Sequence, residues 1–468
     1  MTRINTRWKS LAGVALLAVG LTVAGCRTVG PDYARPTVAA PAAYSEAATT
    51  TAIPDAWWTL FGDPGLDALV TEALGANPDL AAAAARIDQA RALLGLADAA
   101  RMPTVDGQVN AGRARVSRDT SALPPGIGAE FDRFHLSATA SYEFDFWGRY
   151  RRASEAARAE LLASEEGRRA VRLGIAAAVA TAYFDRAFLD RQVADAKSTL
   201  ESRQEALRLQ NERFDAGTIS ELEVAQAKAE LAATEAVIPV LERERRRTDN
   251  RLGVLVGRFG PVAGPSGDLA AHVPEVPVGL PSDLLARRPD VVAAEAALVA
   301  ANARIGVAKA AFFPSIGLTA TLGTESRELG DLLSSGANIW QLAAGLLQPI
   351  WNAGRTKRQV EAAAAGREEA LALYLKAIQG AFAEVEDALA GRSASLNEVA
   401  ALERQITALE RAREIALIRY EAGESSYFEV LDADRNLFRA RLDLSTARRN
   451  QYVAAVDLFR ALGGGWGE

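Results

Sequence analysis

Residues 134–146, which read Phe-His-Leu-Ser-Ala-Thr-Ala-Ser-Tyr-Glu-Phe-Asp-Phe, decide the fold of this chain. Every even-numbered residue in the stretch is apolar and every odd-numbered one is polar, the pattern of a β-strand with two unlike faces. The stretch is long enough to cross a bilayer, because a tilted transmembrane strand needs about 9–11 residues. A soluble sheet with one wet face gives the same alternation. The aromatic residues from Tyr142 to Trp147 favour a strand end at a membrane interface.

Three further stretches alternate in the same way. They are 105–112, 315–322 and, less regularly, 339–348. The sequence therefore predicts two β-hairpins, at about 105–146 and 314–350. The loops between their strands, at about 113–133 and 324–338, are expected to be extracellular.

Four strands per chain have a consequence for assembly. They cannot close a duct, and open sheet edges are not tolerated in hydrocarbon. Strands from several chains must therefore combine, and three copies would supply twelve. This predicts a homotrimer in contact with outer-membrane lipid.

The chain also resembles itself. Asn77-Pro78-Asp79 matches Arg288-Pro289-Asp290, and Arg213-Phe214-Asp215-Ala216-Gly217 matches Arg419-Tyr420-Glu421-Ala422-Gly423. A period of this length predicts a duplicated domain-sized module rather than a solenoid. The predicted segments are a signal peptide 1–25, a lipidated extended segment with a first short helix 26–76, a first repeat 77–256, a crossover 257–287, a second repeat 288–462 and a tail 463–468.

Long helices follow each predicted β-hairpin. Heptad series of small and apolar residues predict antiparallel helical hairpins over about 153–256 and 355–462. In the first hairpin the series is interrupted near Pro239. Gly217 and Gly423 lie where the chain must turn back, the place of a C-cap glycine. A solvated coiled-coil tether would share this periodicity.

The N-terminus has the features of a lipoprotein signal. Arg3, Arg7 and Lys9 precede an apolar run, and Val23-Ala24-Gly25-Cys26 follows it. Small residues before the cut suit a signal peptidase, and Cys26 is the only cysteine in the chain. We therefore expect a covalent lipid on Cys26 and no other cofactor.

Composition excludes several other classes of protein. The 468 residues carry 53 basic and 59 acidic side chains, so no basic excess is available to bind nucleic acid. A single cysteine and two histidines argue against a disulfide framework and a zinc site. Neither His135 nor His272 lies in a motif of a hydrolase or nucleotide-binding enzyme, so no enzyme is predicted. By hydropathy only the N-terminal run resembles a membrane-spanning helix.

Several motifs together resemble one family. They are Cys26 with Val29-Gly30-Pro31-Asp32-Tyr33, Trp57-Trp58 with Phe61-Gly62-Asp63-Pro64, Leu280-Pro281-Ser282-Asp283-Leu284-Leu285, Phe313-Pro314-Ser315 and Ala461-Leu462-Gly463-Gly464-Gly465-Trp466. The chain resembles the outer-membrane factors of the TolC-like class, in the lipoprotein branch that serves resistance–nodulation–division efflux systems. The resemblance implies a trimeric twelve-stranded β-barrel continued by a long α-helical barrel in the periplasm. It also implies a periplasmic adaptor protein and an inner-membrane pump as partners.

The same resemblance implies a gate at the periplasmic tip of the helices. Tyr420, Asp432 and Arg435 match a contact set that closes such channels, and Glu429 with Asp432 matches a pair of acidic rings. Glu429 and Asp432 are three residues apart and share one helix face, so three chains would crowd six carboxylates around an axis. An ordinary solvated surface is the alternative. Gly217 and Gly423 mark the tips where an adaptor is expected to dock.

Two other functions fit part of the sequence. An outer-membrane duct for type I protein secretion would need the same fold, but the lipid-attachment motif and the Gly-Pro-Asp-Tyr segment favour efflux. A structural coiled-coil lipoprotein would need the helices but not the alternation at 134–146.

Overall fold

A computed structural model describes residues 28–38, 44–45, 53–117, 129–264, 272–277 and 281–465. The described residues are mostly helical. The helices are α1 Pro64–Ala76, α2 Pro78–Ala99, α3 Arg149–Asp215, α4 Glu221–Leu255, α5 Pro281–Arg287, α6 Pro289–Ala310, α7 Arg355–Glu421 and α8 Tyr427–Ala461, with short 3-10 helices at Trp57–Phe61, Leu329–Asp331 and Ser335–Ala337. The strands are β1 Thr104–Arg115, β2 Glu130–Phe144, β3 Ser315–Ser326 and β4 Asn338–Leu347. Cys26 and Trp466 lie outside the described residues.

The strands form one antiparallel sheet in the order β1-β2-β3-β4. The register places Gly107, Ala138, Leu322 and Trp340 side by side across the four strands. The neighbouring row shows the opposite face of the sheet. It consists of Asp106, Thr139, Thr321 and Gln341. The alternation predicted from residues 134–146 therefore extends over β1, β2 and β3 and is weaker in β4, where Gln341 is the polar side chain of the second face.

The apolar face of the sheet is open. Val109 is 74% exposed and Trp340 is 78% exposed. On the polar face the hydroxyls of Thr139 and Thr321 are hydrogen-bonded across β2 and β3 at 3.0 Å. Such an arrangement suits lipid on one side and water on the other.

The chain divides into two compact units that do not coincide with the two predicted repeats. Among the described residues, the first unit contains 28–36, Ile87–Ala163 and Glu295–Leu373, and the second contains the rest. Each unit thus takes segments from both repeats, because the long helices run through more than one unit.

The first unit holds the sheet and a strap formed by residues 28–35. The backbone N–H of Val29 donates to the carbonyl of Trp147 at 3.0 Å. Asn302 donates to the carbonyl of Pro31 at 2.9 Å, and Arg152 donates to Asp32 at 2.6 Å. A side chain on Gly30 would collide with the backbone of Gly306. Residues 29–32 are therefore held in place by α3, α6 and the turn after β2.

The second unit has an aromatic core. Trp57 stacks on Phe459 with ring centroids 5.1 Å apart, and Phe61 lies 5.0 Å from Phe184. The hydroxyl of Tyr183 donates to Asp63 at 2.8 Å. The carboxylate of Asp63 also caps α1, which begins with Pro64. The Trp-Trp and Phe-Gly-Asp-Pro motifs thus have a packing role.

One expectation from the sequence was wrong, and one helix continues through a break in its heptad series. Helix α4 continues through Pro239; one proline costs about 3 kcal/mol in a helix interior, which packing along a 35-residue helix can offset. Among the described residues, α6 is also long and apolar enough to cross a membrane. Half of its most apolar window is buried, and its Ala300 and Ala303 pack against Ala156 and Ala159 of α3. Hydropathy therefore detected a core helix.

Candidate functional site

Both predicted turn glycines lie at helix ends in the second unit. Gly217 has a φ of 68° and Gly423 a φ of 74°. The N–H of Gly217 donates to the carbonyl of Phe214 at 2.8 Å, and the N–H of Thr218 donates to that of Arg213 at 2.9 Å. This is the Schellman pattern, and Gly423 repeats it at the end of α7. The glycines form the turns between α3 and α4 and between α7 and α8.

Next to these turns the ends of four helices pack together. We call this group the tip cluster. It contains Leu207 of α3, Ala227 of α4, Ala416 and Tyr420 of α7, and Tyr427, Val430 and Leu431 of α8. Tyr420 lies 5.2 Å from Tyr427 between ring centroids, and its hydroxyl donates to the buried Gln210 of α3 at 3.2 Å. The tip cluster joins the first helical hairpin to the second.

In the described part of this single chain Tyr420 and Asp432 have different hydrogen-bond partners, whereas Asp432 lies near Arg435. Tyr420 packs inside the tip cluster, whereas Asp432 is on the exposed side of α8 and accepts a hydrogen bond from Asn436 at 3.1 Å. The packed stripe of α8 faces Tyr420, so the helix itself separates the two side chains. The contact set therefore stays a prediction for the assembled channel.

Glu429 and Asp432 do share the exposed face of α8. Glu429 accepts a hydrogen bond from Arg419 of α7 at 3.1 Å, and both side chains are about half exposed. The equivalent Glu223 of the first hairpin instead accepts from the backbone N–H of Ser220 at 2.6 Å, at the start of α4. Glu429 is therefore tied to the end of α7, whereas Glu223 stabilises the start of its own helix.

Arg435 has a partner that the sequence did not reveal. Its Nε donates to Oε1 of Glu230 on α4 at 3.0 Å. The other carboxylate oxygen, Oε2, lies 3.0 Å from Nη1 of Arg203 on α3. Glu230 is buried, and it lies three residues after Ala227 and four before Thr234, on the packed heptad stripe of α4. A carboxylate within an apolar heptad series was the available signal.

The carboxylate of Glu230 affects the pKa of both arginines, Arg435 and Arg203. The hydrogen bond to Glu230 raises the pKa of Arg435 above its ordinary value, with the nearby Asp432 adding to the effect. Burial lowers the pKa of Arg203, and the carboxylate of Glu230 opposes that shift. Both guanidinium groups remain charged at any physiological pH.

The described residues contain no group of three or more His, Cys, Asp or Glu side chains that could hold a metal ion. The site consists of four packed helix ends with an exposed acidic face and a buried ionic contact between two helical hairpins. The same chain has a sheet with one apolar and one polar face. A sheet suited to lipid and water together with a packed helical tip is consistent with a membrane channel.

The family model for outer membrane efflux proteins matches residues 69–258 and 280–464. The chain belongs to this family. The family consists of outer-membrane channels rather than enzymes, and the resemblance seen in the sequence motifs is confirmed. The location in the bacterial outer membrane is confirmed with it.

Individual members of the family match almost end to end. The cation efflux system protein CusC of Escherichia coli O6:H1 is 35% identical over 459 residues, which are 96% of this chain and 97% of CusC. The solvent efflux pump outer membrane protein SrpC of Pseudomonas putida is 36% identical over 476 residues, 98% of this chain and 99% of SrpC. The MtrE outer membrane channel of Neisseria gonorrhoeae in its open state has a TM-score of 0.84 and 32% identity, and the match covers 94% of this chain and 98% of MtrE.

Proposed function

We propose that three copies of this chain form the exit duct of a tripartite efflux system, with a gate at the periplasmic helix tips. The observation that carries the proposal is the two-faced sheet, whose outer strands β1 and β4 each have a neighbour on one side only in the described residues. Backbone groups at open sheet edges are not tolerated in lipid. Pairing β4 of one copy with β1 of the next closes a twelve-stranded barrel, apolar outside and polar inside.

The proposed duplication is supported by the matching lengths of the elements. Helices α2 and α6 each have 22 residues, α3 and α7 each have 67, and α4 and α8 each have 35. Asn77 before α2 donates to the carbonyl of Leu255 at 2.8 Å, and Arg288 before α6 donates to that of Ala461 at 3.2 Å. These are equivalent positions near the ends of α4 and α8. We retain 77–256 and 288–462 as the two repeats.

The gate consists of Tyr420, Glu429, Asp432 and Arg435 near the tip of the second hairpin. In a trimer, the exposed Glu429 and Asp432 of α8 would form two acidic rings around the axis. Crowded carboxylates repel one another and attract cations. Divalent cations bound at the rings would offset this repulsion and hold the three tips together in the closed duct.

Replacing Asp432 with asparagine tests the gate. We expect a several-fold rise in single-channel conductance in planar bilayers and a weaker block by divalent cations. The reason is that a neutral ring no longer binds the divalent cations that hold the three tips together. The matched control is Asp443→Asn, an exposed carboxylate on the same helix whose nearest cation, Arg439, is 3.9 Å away. Equal conductance and equal divalent block in both variants and the parent would remove Asp432 from the gate.

The turns at Gly217 and Gly423 are the proposed docking points for a periplasmic adaptor, through which an inner-membrane resistance–nodulation–division pump would feed the duct. Large apolar side chains are exposed beside both turns, Leu222 next to the first and Phe428 next to the second. They occupy equivalent positions in the two repeats. Exposed apolar residues at both tips suit a protein partner.

The proposed lipid on Cys26 is a second attachment to the membrane. The strap begins two residues later and is fixed to the end of β2, so the lipid would emerge close to the membrane-spanning sheet. A variant with Cys26→Ser and a signal peptide that is cleaved without lipidation is expected to stay in the outer-membrane fraction until detergent is added. Release into the soluble fraction by salt alone would indicate a tether instead of a barrel.

A further inference from the structure

The buried carboxylate of Glu230 serves two helical hairpins at once. Oε2 binds Arg203 of α3, which belongs to the same hairpin as Glu230, and Oε1 binds Arg435 of α8 in the second hairpin. Because the two arginines use different oxygen atoms, either ion pair can exist without the other. We call these three residues the Glu230 latch.

The two arginines differ sharply in burial. The side chains of Glu230 and Arg203 are 10% and 11% exposed, whereas that of Arg435 is 52% exposed. Arg203 is further held in its own hairpin, where it donates to the backbone carbonyl of Glu230 at 2.8 Å and to the hydroxyl of Thr234. Arg435 can therefore return to water at little cost, while Arg203 stays.

A buried carboxylate that loses its only partner is strongly penalised. With a single arginine, parting the hairpins would leave such a carboxylate behind, and the gate would be hard to open. With Arg203 in place, Glu230 keeps a partner whether or not Arg435 is bound. Arg203 thus makes the contact between the hairpins reversible.

We infer that Arg435 and Arg203 act on the gate in opposite directions through Glu230, with the Arg435–Glu230 pair holding the tip closed and the Arg203–Glu230 pair keeping the open tip stable. The inference rests on the proposed gate and adds to it two residues of the first hairpin. It requires that loss of Arg435 favour the open state and that loss of Arg203 favour the closed state.

Planar-bilayer recordings of the full-length trimer test this requirement. Arg435→Met is expected to raise the mean conductance several-fold. Arg203→Met keeps an apolar side chain beside Phe438, over whose ring the guanidinium now lies at 5.5 Å, and is expected to leave the conductance equal to or below that of the parent. A rise in both variants overturns the inference, and so does a lack of change in Arg435→Met.

Two further variants guard against misfolding and separate this inference from the proposed gate. Arg203→Lys retains the charge and is expected to behave as the parent, with all variants first shown to form equal amounts of trimer. Glu230→Gln combined with Arg435→Met should give a lower conductance than Arg435→Met alone, because it also weakens the Arg203–Glu230 pair that stabilises the open tip. If Asp432→Asn changes the conductance and Arg435→Met does not, the gate stands and the latch fails; if neither changes it, the gate itself fails.

Discussion

Arginine at Leu322 is expected to keep most of the protein out of the outer membrane, whereas arginine at the adjacent Thr321 is not. Leu322 lies near the middle of β3 on the apolar face, between Ala138 and Trp340, and is 71% exposed. Arginine on the lipid face of a barrel costs about 2–4 kcal/mol near the bilayer midplane. A trimer would bear this cost three times.

Thr321 provides a matched control because it is the next residue on the same strand. Its side chain points to the polar face, beside Thr139 and Gln341, where arginine would meet water. The amount of heat-modifiable trimer in isolated outer membranes measures both variants. Equal insertion of the two variants would show that the apolar face does not contact lipid.

Replacing Arg288 with methionine is expected to cost about 1.5–3 kcal/mol of stability, the range for hydrogen bonds to charged groups, because Asp290 and Glu384 are 44% and 41% exposed and can be partly solvated once the arginine is gone. The buried Arg288 donates from Nη2 to Asp290 at 2.6 Å and from Nη1 to Glu384 at 2.9 Å, besides its bond to Ala461. The variant would leave two carboxylates facing each other. Thermal unfolding of the detergent-solubilised protein, followed by circular dichroism, measures the loss.

A surface pair on helix α6, which follows Arg288, is the control for Arg288. Arg304 of α6 pairs with Glu160, and its side chain is 59% exposed. Exposed pairs contribute only about 0–1 kcal/mol, so Arg304→Met should unfold close to the temperature of the parent. A loss in Arg304→Met equal to that in Arg288→Met would argue against a special role of the buried cluster.

The effect of pH on the Arg288→Met variant has a definite sign. Burial alone would raise the pKa of Asp290, but the hydrogen bonds from Arg288 outweigh it and hold the pKa below its ordinary value. In the parent this contribution to stability is present above the ordinary pKa of aspartate, near 3.9, and is lost as the pH falls through the lowered value. Without Arg288 most of this lowering is lost, so the difference in stability between the parent and the variant should narrow as the pH falls from about 5 to about 3.

Features that depend on local periodicity were predictable from the sequence. The strand pattern at 134–146 led to β2, and the heptads over 153–214 led to α3, which begins four residues earlier at Arg149 and ends one later at Asp215. The turn glycines follow from backbone sterics. In each of these cases neighbours in the sequence determine the outcome.

Features that depend on pairing between distant segments were not predictable. Arg435 and Glu230 are 205 residues apart, and no local pattern specifies which of many carboxylates an arginine will meet. The exposed position of Asp432 beside the packed Tyr420 was not predictable either, since the rotation of α8 within the tip cluster decides which of its side chains face inward. The apolar composition of α6 does not reveal that other helices cover it, so hydropathy alone does not distinguish this core helix from a membrane span.

The equal helix lengths in the two halves restrict how the family can vary in size. A heptad inserted into α3 alone would displace one hairpin end by about 10 Å, at 1.5 Å per residue, and would pull apart the tip cluster. Insertions or deletions are tolerable only when α3, α4, α7 and α8 change together. The reach of such a duct across the periplasm should therefore evolve in coordinated steps of whole heptads, and length changes confined to one helix should be rare among its relatives.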